Sequence, residues 1–130
     1  VLSEEFAQCV AHQTDKIVFI TDREKVIAAA GDGLKGIVGK EISHSLERIL
    51  DDRDESLPLA ERSRFIPVVE GMDGADEVKK VEQVRQMIRS NGQIIGSIII
   101  QSKDPKYKVG EFEKKVAMVA AEFLGKQITI

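Results

Sequence analysis

The pair Asn91-Gly92 stands between two apolar arms and predicts a tight turn between two strands. Met87-Ile88-Arg89 precedes the pair, and the segment from Ile94 to Ile100 follows it. Asn-Gly favours the two-residue turn of a β-hairpin because both residues tolerate positive φ angles. The apolar spacing of residues 78–89 also fits a helix, but a strand has to enter this turn, so we predict a strand. The second arm is apolar on both faces, as expected for a central strand covered on each side.

The remaining patterns predict helices at both ends of the chain and further strands between them. The predicted elements are a first helix from Ser3, a hairpin of Ile17–Ile20 and Val26–Ala30, a short helix opened by Ser43, a strand from Arg64 to Val69, and a long final helix from about Val109. This order predicts an α+β fold with an antiparallel sheet of about five strands. We expect the N- and C-terminal helices to pack together on one side of that sheet.

Charge and hydropathy exclude two broad classes of protein. The 19 basic residues are interleaved with 22 acidic ones and the net charge is −3, so direct contact with a nucleic-acid backbone is not expected. The longest apolar run, Ile94–Ile100, is far shorter than the ~18 residues of a membrane span. No signal-peptide pattern opens the chain. We expect one domain over residues 1–130, located in the cytoplasm.

No residue set with catalytic or metal-binding spacing emerges. Cys9 is the only cysteine and shares an apolar stripe with Phe6 and Val10, so we predict a buried structural thiol. His12 and His44 lack the additional ligands that a zinc site needs. Ser43 is better explained as a helix cap than as a nucleophile. The sequence therefore predicts no enzyme activity, no cofactor and no metal.

Weaker signs indicate a pocket for a small molecule between the sheet and the short helices. In a strand over residues 82–89, Gln86 shares an apolar face with Val84 and Ile88, and a buried amide needs a partner. Gly96 removes a side chain where a ligand approaches, and Ser97 offers a hydroxyl on the opposite face. Two alternatives stay open: Gln86 reaching solvent, and Gly96 relieving packing under a helix.

A glycine-interrupted segment adds a fourth residue to this predicted ligand-binding set. The segment from Gly31 to Gly39 is broken into short turns and is a candidate for a movable wall of the pocket. Asp32 lies within it. The predicted ligand-binding residues are therefore Asp32, Gln86, Gly96 and Ser97.

Four segments also resemble a known family. They are Ile17–Glu24, Gly39–Ser43, Asn91–Asp104 and Glu113–Ala117, and the most specific is the Asn-Gly hairpin that runs into Ser102-Lys103-Asp104. These segments resemble the C-terminal regulatory domains of the stage V sporulation protein T family, which have the GAF fold. The resemblance implies a module that follows an N-terminal DNA-binding domain, absent here, and that responds to an intracellular signal during spore formation.

Two functional hypotheses follow from these observations. The first is a sensor domain that couples an unknown small-molecule effector to DNA binding by the missing N-terminal domain. The alternative is a ligand-free assembly module. In both, the terminal helices are expected to form a homodimer, and a higher oligomer in the full-length protein, through Phe6, Val116, Val119 and Phe123.

Overall fold

The computed structural model describes residues 2–31, 36–51, 65–71, 81–104, 106 and 108–127. Its helices are α1 (Leu2–Thr14), α2 (His44–Asp51) and α3 (Glu111–Gly125), and its strands are β1 (Ile17–Thr21), β2 (Val26–Ala30), β3 (Gln83–Ser90) and β4 (Gln93–Gln101). The strands form one antiparallel sheet in the order β2-β1-β4-β3. The predicted α+β class and the packing of the terminal helices on one side are confirmed.

The hairpin of β3 and β4 forms as the Asn-Gly pair predicts. Asn91 and Gly92 have φ angles of 52° and 80°, and Ser90 lies opposite Gln93 across the turn. Positive φ at both central residues matches the twist of the flanking strands. The choice of a strand over a helix before the turn is therefore confirmed for residues 83–90.

The described residues form four strands instead of about five. The predicted strand from Arg64 to Val69 is wrong over its described part, since residues 65–71 contain no strand. A short stretch beside β2 supplies the nearest equivalent of a fifth strand. Lys25 and Glu41 form an isolated antiparallel bridge, with hydrogen bonds from Val26 N to Lys40 O (2.9 Å) and from Ile42 N to Glu24 O (2.9 Å).

One face of the sheet, the helix face, packs against α1 and α3. Its strand residues are Val18, Ile20, Ala28, Ile88, Ile98 and Ile100, and its helical residues are Ala7, Val10, Ala117, Ala120, Ala121 and Leu124. Alanines dominate the helical side, so the helix backbones come close to the sheet. Phe6 and Phe123 stack above this layer with ring centroids 5.2 Å apart, which joins the two terminal helices.

The opposite face, which we call the inner face, packs against α2 and against the irregular segments 36–42 and 65–71. Phe19, Val26 and Ile99 of the sheet contact a cluster formed by Ile37, Ile42, Leu46, Leu50, Val68 and Val69. The sheet is thus covered on both faces, which explains why β4 is apolar on both sides.

The prediction that Cys9 is a buried thiol is wrong, because Cys9 is exposed. The buried stripe of α1 consists of Ser3, Ala7, Val10 and Thr14. Leu2, Phe6 and Cys9 lie on the neighbouring stripe, which the apolar pattern alone did not separate from the first. No helix within the described ranges is long and apolar enough to cross a membrane.

Candidate functional site

On the inner face, side chains are more exposed on the edge strand β3 than on its neighbour β4. Strand register places Gln83, Arg85 and Met87 opposite Gln101, Ile99 and Ser97. Ser97 and Ile99 are fully buried, whereas Arg85 and Met87 are partly exposed. On the inner face, β4 is therefore buried from Ser97 to Gln101, and β3 is partly exposed at Arg85 and Met87. Ile66 of segment 65–71 is hydrogen-bonded to Gln83. We define the β3 site as Gln83, Arg85, Met87, Gln101 and Ile66.

Gln83 ties the irregular segment 65–71 to the sheet. Its Nε2 donates to Ile66 O at 2.9 Å, and Ile66 N donates to its Oε1 at 3.3 Å. The amide thus pairs with both backbone groups of Ile66, as a neighbouring strand would. Nε2 also donates to Gln101 Oε1 at 3.1 Å. These hydrogen bonds satisfy a side chain that is almost completely buried.

Arg85 brings a positive charge onto this face, directly opposite the fully buried Ile99. Its Nη1 donates to Gln83 Oε1 at 2.6 Å. Burial lowers the pKa of the Arg85 guanidinium below its ordinary value, because a charged group loses hydration there. Arginine nevertheless stays protonated at any physiological pH, so the β3 site carries a partly desolvated cation.

Ser43 holds the same segment from the other side, at the start of α2. Its Oγ donates to Pro67 O at 2.6 Å, its backbone N donates to Val68 O at 2.7 Å, and its Oγ accepts from Leu46 N at 3.1 Å. The last bond is the helix cap that the sequence indicated. The Glu70 carboxylate accepts from His44 N at 2.8 Å. Segment 65–71 is therefore fixed between α2 and β3.

The predicted ligand-binding residues do not come together on one face. Gln86 lies opposite Ile98 on the helix face, while Ser97 lies on the inner face. The Ser97 hydroxyl is 2.7 Å from the Thr21 hydroxyl, and both residues are fully buried. Asp32 is outside the described residues.

Glycine is required at position 96 because the backbone of β1 lies too close for a side chain. A Cβ at this position would lie 2.0 Å from Thr21 O, so the close approach is made by β1. One alternative predicted from the sequence was that Gly96 relieves packing under a helix. Gly96 does relieve packing, but against the backbone of Thr21 and not against a helix. A ligand contact at Gly96, as at the other three positions, stays a prediction.

Sequence reasoning missed Gln83, Arg85 and Gln101. The signal was present, because a strand that places Val84, Gln86 and Ile88 on one side must place Gln83, Arg85 and Met87 on the other. The prediction was based on the apolar residues Val84 and Ile88, and it therefore included only the face that they share with Gln86. Within the described part of the chain, no group of three or more metal-ligating side chains could hold an ion.

The four predicted interface residues lie on α1 and α3 as expected from the apolar stripes. Phe6 stacks on Phe123, and Val116 is half-buried against the helix-face core. Val119 and Phe123 are 67% and 41% exposed. Leu2, Phe112 and Met118 of the same two helices are also exposed. Self-association through this surface stays a prediction.

Comparison with known proteins identifies the family. The family model described as "Stage V sporulation protein T C-terminal, transcription factor" matches residues 1–129. The chain belongs to this family. Stage V sporulation protein T of Bacillus subtilis (strain 168) is 33% identical over 126 residues, which are 97% of this chain. The chain spans 66% of the length of that relative.

Solved structures place the domain among GAF folds. The cofactor-binding GAF domain of the nutrient sensor CodY from Clostridium difficile has a TM-score of 0.65 at 13% identity, over 95% of this chain and 81% of that one. The inducer-binding domain of the transcription factor PobR from Acinetobacter, in complex with 3-hydroxybenzoic acid, has a TM-score of 0.56 at 12% identity, over 95% of both chains. These similarities show that the chain has a GAF-like fold.

Proposed function

We propose that this chain is a ligand-sensing regulatory domain, and that a small molecule binds on the inner face at the β3 site. The observation that carries the proposal is the polar group of Gln83, Arg85 and Gln101 beside the apolar cluster of the inner face, where Arg85 and Met87 are partly exposed. Such a setting, apolar walls with a few converging polar groups, is typical of small-molecule sites. Two proteins of similar fold are described as a cofactor-binding and an inducer-binding domain, which supports the proposal.

The proposed output is a change in DNA binding by an N-terminal domain outside this chain. Residues 1–130 would act as one domain in the cytoplasm without touching DNA or membrane, and without catalysing a reaction. β3 connects the two faces of the sheet, since Gln83 and Arg85 lie on the inner side while Ile88 packs against the terminal helices. A ligand at the β3 site would thereby alter the position of α3 against β3.

A thermal-shift screen of the purified domain tests the sensing function. Amino acids, organic acids, nucleotides and nucleosides are added separately, and titration calorimetry follows any increase in melting temperature. We expect at least one compound class to stabilise the domain. In the full-length protein, the same compound should change DNA affinity by about 5- to 150-fold, the usual range of coupling between two sites. The absence of binding by every class would refute the proposal.

A second candidate function is assembly of the regulator without any ligand. It is favoured by the surface of α1 and α3, where all the exposed large apolar residues of the described chain lie except Val38. Exposed large apolar side chains concentrated on two adjacent helices are typical of a contact with another protein surface. Sedimentation equilibrium over a range of concentrations should show self-association of the domain. A monomer at every concentration would contradict this candidate.

A further inference from the structure

Arg23, in the turn between β1 and β2, binds two elements that are far from it in the chain. Its Nη1 donates to Ile94 O at 3.0 Å, at the start of β4, and to Leu50 O at 3.4 Å, near the C-terminal end of α2. Its Nη2 donates to the carboxylate of Asp51, the last residue of α2. The rigid fork of an arginine can serve several acceptors in this way. Arg23 therefore ties the end of α2 to the sheet.

Both carbonyls that Arg23 binds lie where regular hydrogen bonding is interrupted. The last four carbonyls of a helix have no partner within the helix, and a cation at this end also interacts favourably with the helix dipole. On β4, the partner of β3 changes from Gly96 to Ile94 across a register shift, and such a bulge disrupts the ladder. Arg23 thus adds hydrogen bonds at the end of the helix and beside the bulge.

α2 covers part of the inner face. Two of its side chains, Leu46 and Leu50, are buried in the cluster that also contains Phe19, Val26 and Ile99 of the sheet. The N-terminal end of α2 is fixed by the serine cap and its hydrogen bonds to segment 65–71. When the contacts of Arg23 break, the C-terminal end can move away from the sheet while the N-terminal end stays attached. Such a movement uncovers the three sheet residues.

The C-terminal end of α2 also lies next to the partly exposed border of the inner face. One guanidinium nitrogen contacts both Leu50 O and Ile94 O, so these two backbone segments are neighbours. Ile94 and Met87 pack against the inner cluster and are partly exposed. Met87 is one of the residues of the β3 site. A gap between α2 and the hairpin would therefore connect the β3 site with the buried interior.

We propose that Arg23 is the gate of the inner face: it closes the interior while it is bound to α2 and β4, and it opens the interior when it is released. This inference rests on the proposed sensing function for what enters, namely the apolar part of a ligand bound at the β3 site. The side chains of Arg23 and Asp51 are 45% and 61% exposed, and exposed ion pairs contribute little to stability. The gate is therefore suited to open and close in the folded domain.

Reaction of a buried thiol with dithiobis(nitrobenzoic acid) measures how often the inner face opens. The exposed native thiol is removed by Cys9→Ser, and a new thiol is introduced by Val26→Cys on the inner face. Val18→Cys is the matched position, since Val18 is also a fully buried valine but lies on the helix face. The reagent reaches either thiol only when the protein opens, so the two rates separate opening at α2 from unfolding of the whole domain.

We expect the thiol of Val26→Cys to react faster than that of Val18→Cys even with Arg23 in place. Adding Arg23→Gln should raise the rate at Val26→Cys by about 10-fold, because the hydrogen bonds of a charged group are lost, and should leave the rate at Val18→Cys unchanged. Arg23→Lys should raise the rate less, because the charge remains. Lys25→Gln is the matched control, since it removes an exposed cation from the same turn and should leave both rates unchanged.

Two results with Arg23→Gln would overturn the gate. Equal increases at the two positions would mean that Arg23 stabilises the whole fold, and an unchanged rate at Val26→Cys would mean that α2 is held without Arg23. Equal rates at the two positions before Arg23 is changed would also overturn the gate, and this comparison stands even when Arg23→Gln fails to fold.

The thiol measurement separates this inference from the sensing function, because no ligand takes part in it. Failure of the gate would leave sensing standing. A compound screen without any binding would overturn sensing and the passage of a ligand, but it would not change the measured opening of α2.

Discussion

At the scale of single residues, two glycines set the distances between neighbouring elements. A Cβ at Gly96 would lie 2.0 Å from Thr21 O, and a Cβ at Gly125 would lie 2.1 Å from Arg89 O. Both obstacles are backbone atoms, which cannot rotate away as the end of a side chain can. Gly96 therefore allows β4 to pair closely with β1, and Gly125 allows the end of α3 to lie directly on β3.

We predict that Gly96→Ala destabilises the domain by at least ~1–3 kcal/mol, the usual cost of overpacking a well-packed interior. Gly110→Ala is the control, because a Cβ there would find its nearest neighbour at 3.9 Å. Urea denaturation followed by circular dichroism measures both free energies of unfolding. Equal midpoints for the two variants would show that β1 shifts at little cost and that the close approach is not a constraint.

At the scale of elements, segment 65–71 has the apolar pattern of a strand but takes its hydrogen bonds from the Gln83 side chain and from the side chain and backbone of Ser43. Gln83 pairs with the backbone of Ile66, and Ser43 binds Pro67 O and Val68 O. Pro67 has no N–H and so cannot act as a regular ladder donor. The segment is thus attached to α2 and β3 separately, and it couples these two elements across the inner face.

Replacing Ser43 tests this attachment. Ser43→Ala removes the cap of α2 and the hydrogen bond to Pro67 O, so we expect a loss of ~0.5–2 kcal/mol in the free energy of unfolding. Amide hydrogen exchange should also rise in segment 65–71. Ser45→Ala, an exposed change in the first turn of the same helix, should leave both measurements close to wild type. Similar effects of the two variants would mean that the cap does not hold the segment.

A second element-level contact joins the start of β3 to the start of α3. Glu82 Oε1 accepts from Val109 N at 2.8 Å, and its Oε2 lies 3.2 Å from Lys108 Nζ. The hydrogen bond from Val109 and then the interaction with Lys108 lower the pKa of Glu82 below its ordinary value of 4.5. Between the lowered pKa and 4.5, the unfolded chain binds more protons than the folded one. The stabilisation from Glu82 is therefore present above pH 4.5 and is lost as the pH falls through the lower, folded value.

We predict that Glu82→Gln removes this pH-dependent part of the stability. The difference in melting temperature between wild type and Glu82→Gln should be largest near pH 7 and should shrink as the pH falls below 4.5. Glu24→Gln, a change at an exposed carboxylate in the turn between β1 and β2, is the control. A wild-type minus Glu82→Gln difference that is the same at pH 7 and pH 3.5 would contradict the prediction.

At the scale of the whole molecule, the sheet separates two surfaces with different properties. The inner face carries the β3 site, and the far side of the helix face carries the exposed apolar surface of α1 and α3. The Phe6–Phe123 stack joins the two helices within one chain. A four-helix arrangement of two chains would cover Val119 and Phe123 and would place the two proposed ligand sites on the outside of the dimer.

We predict that Val119→Asp converts a self-associating domain into a monomer, because the substitution places a charge in the centre of the covered apolar surface. Lys114→Gln changes the net charge by the same amount on another side of α3 and should leave the association unchanged. Sedimentation velocity gives both masses. An unchanged mass for Val119→Asp would exclude this surface as the contact.

Features that depend on residues close together in the chain could be predicted from the sequence. Asn91-Gly92 specified the hairpin because the turn requires positive φ angles that these two residues adopt readily. The helical spacing of apolar residues located α1 and α3, and Ser43 marked the start of α2. From these, the α+β class and the order of the described elements could be predicted without coordinates, except for the strand expected at Arg64–Val69.

Which side of each element faces which layer is set by contacts between residues far apart in the chain. Alternation along β3 defines two faces, but it does not say that Gln86 lies on the face covered by the terminal helices and Arg85 on the opposite one, since that depends on residues such as Leu124 and Leu46 far along the chain. For the same reason, local patterns could not predict that Cys9 is exposed. They also could not predict the hydrogen bond between Thr21 and Ser97, which are 76 residues apart. The candidate site is built from such distant contacts, and local patterns carry no information about them.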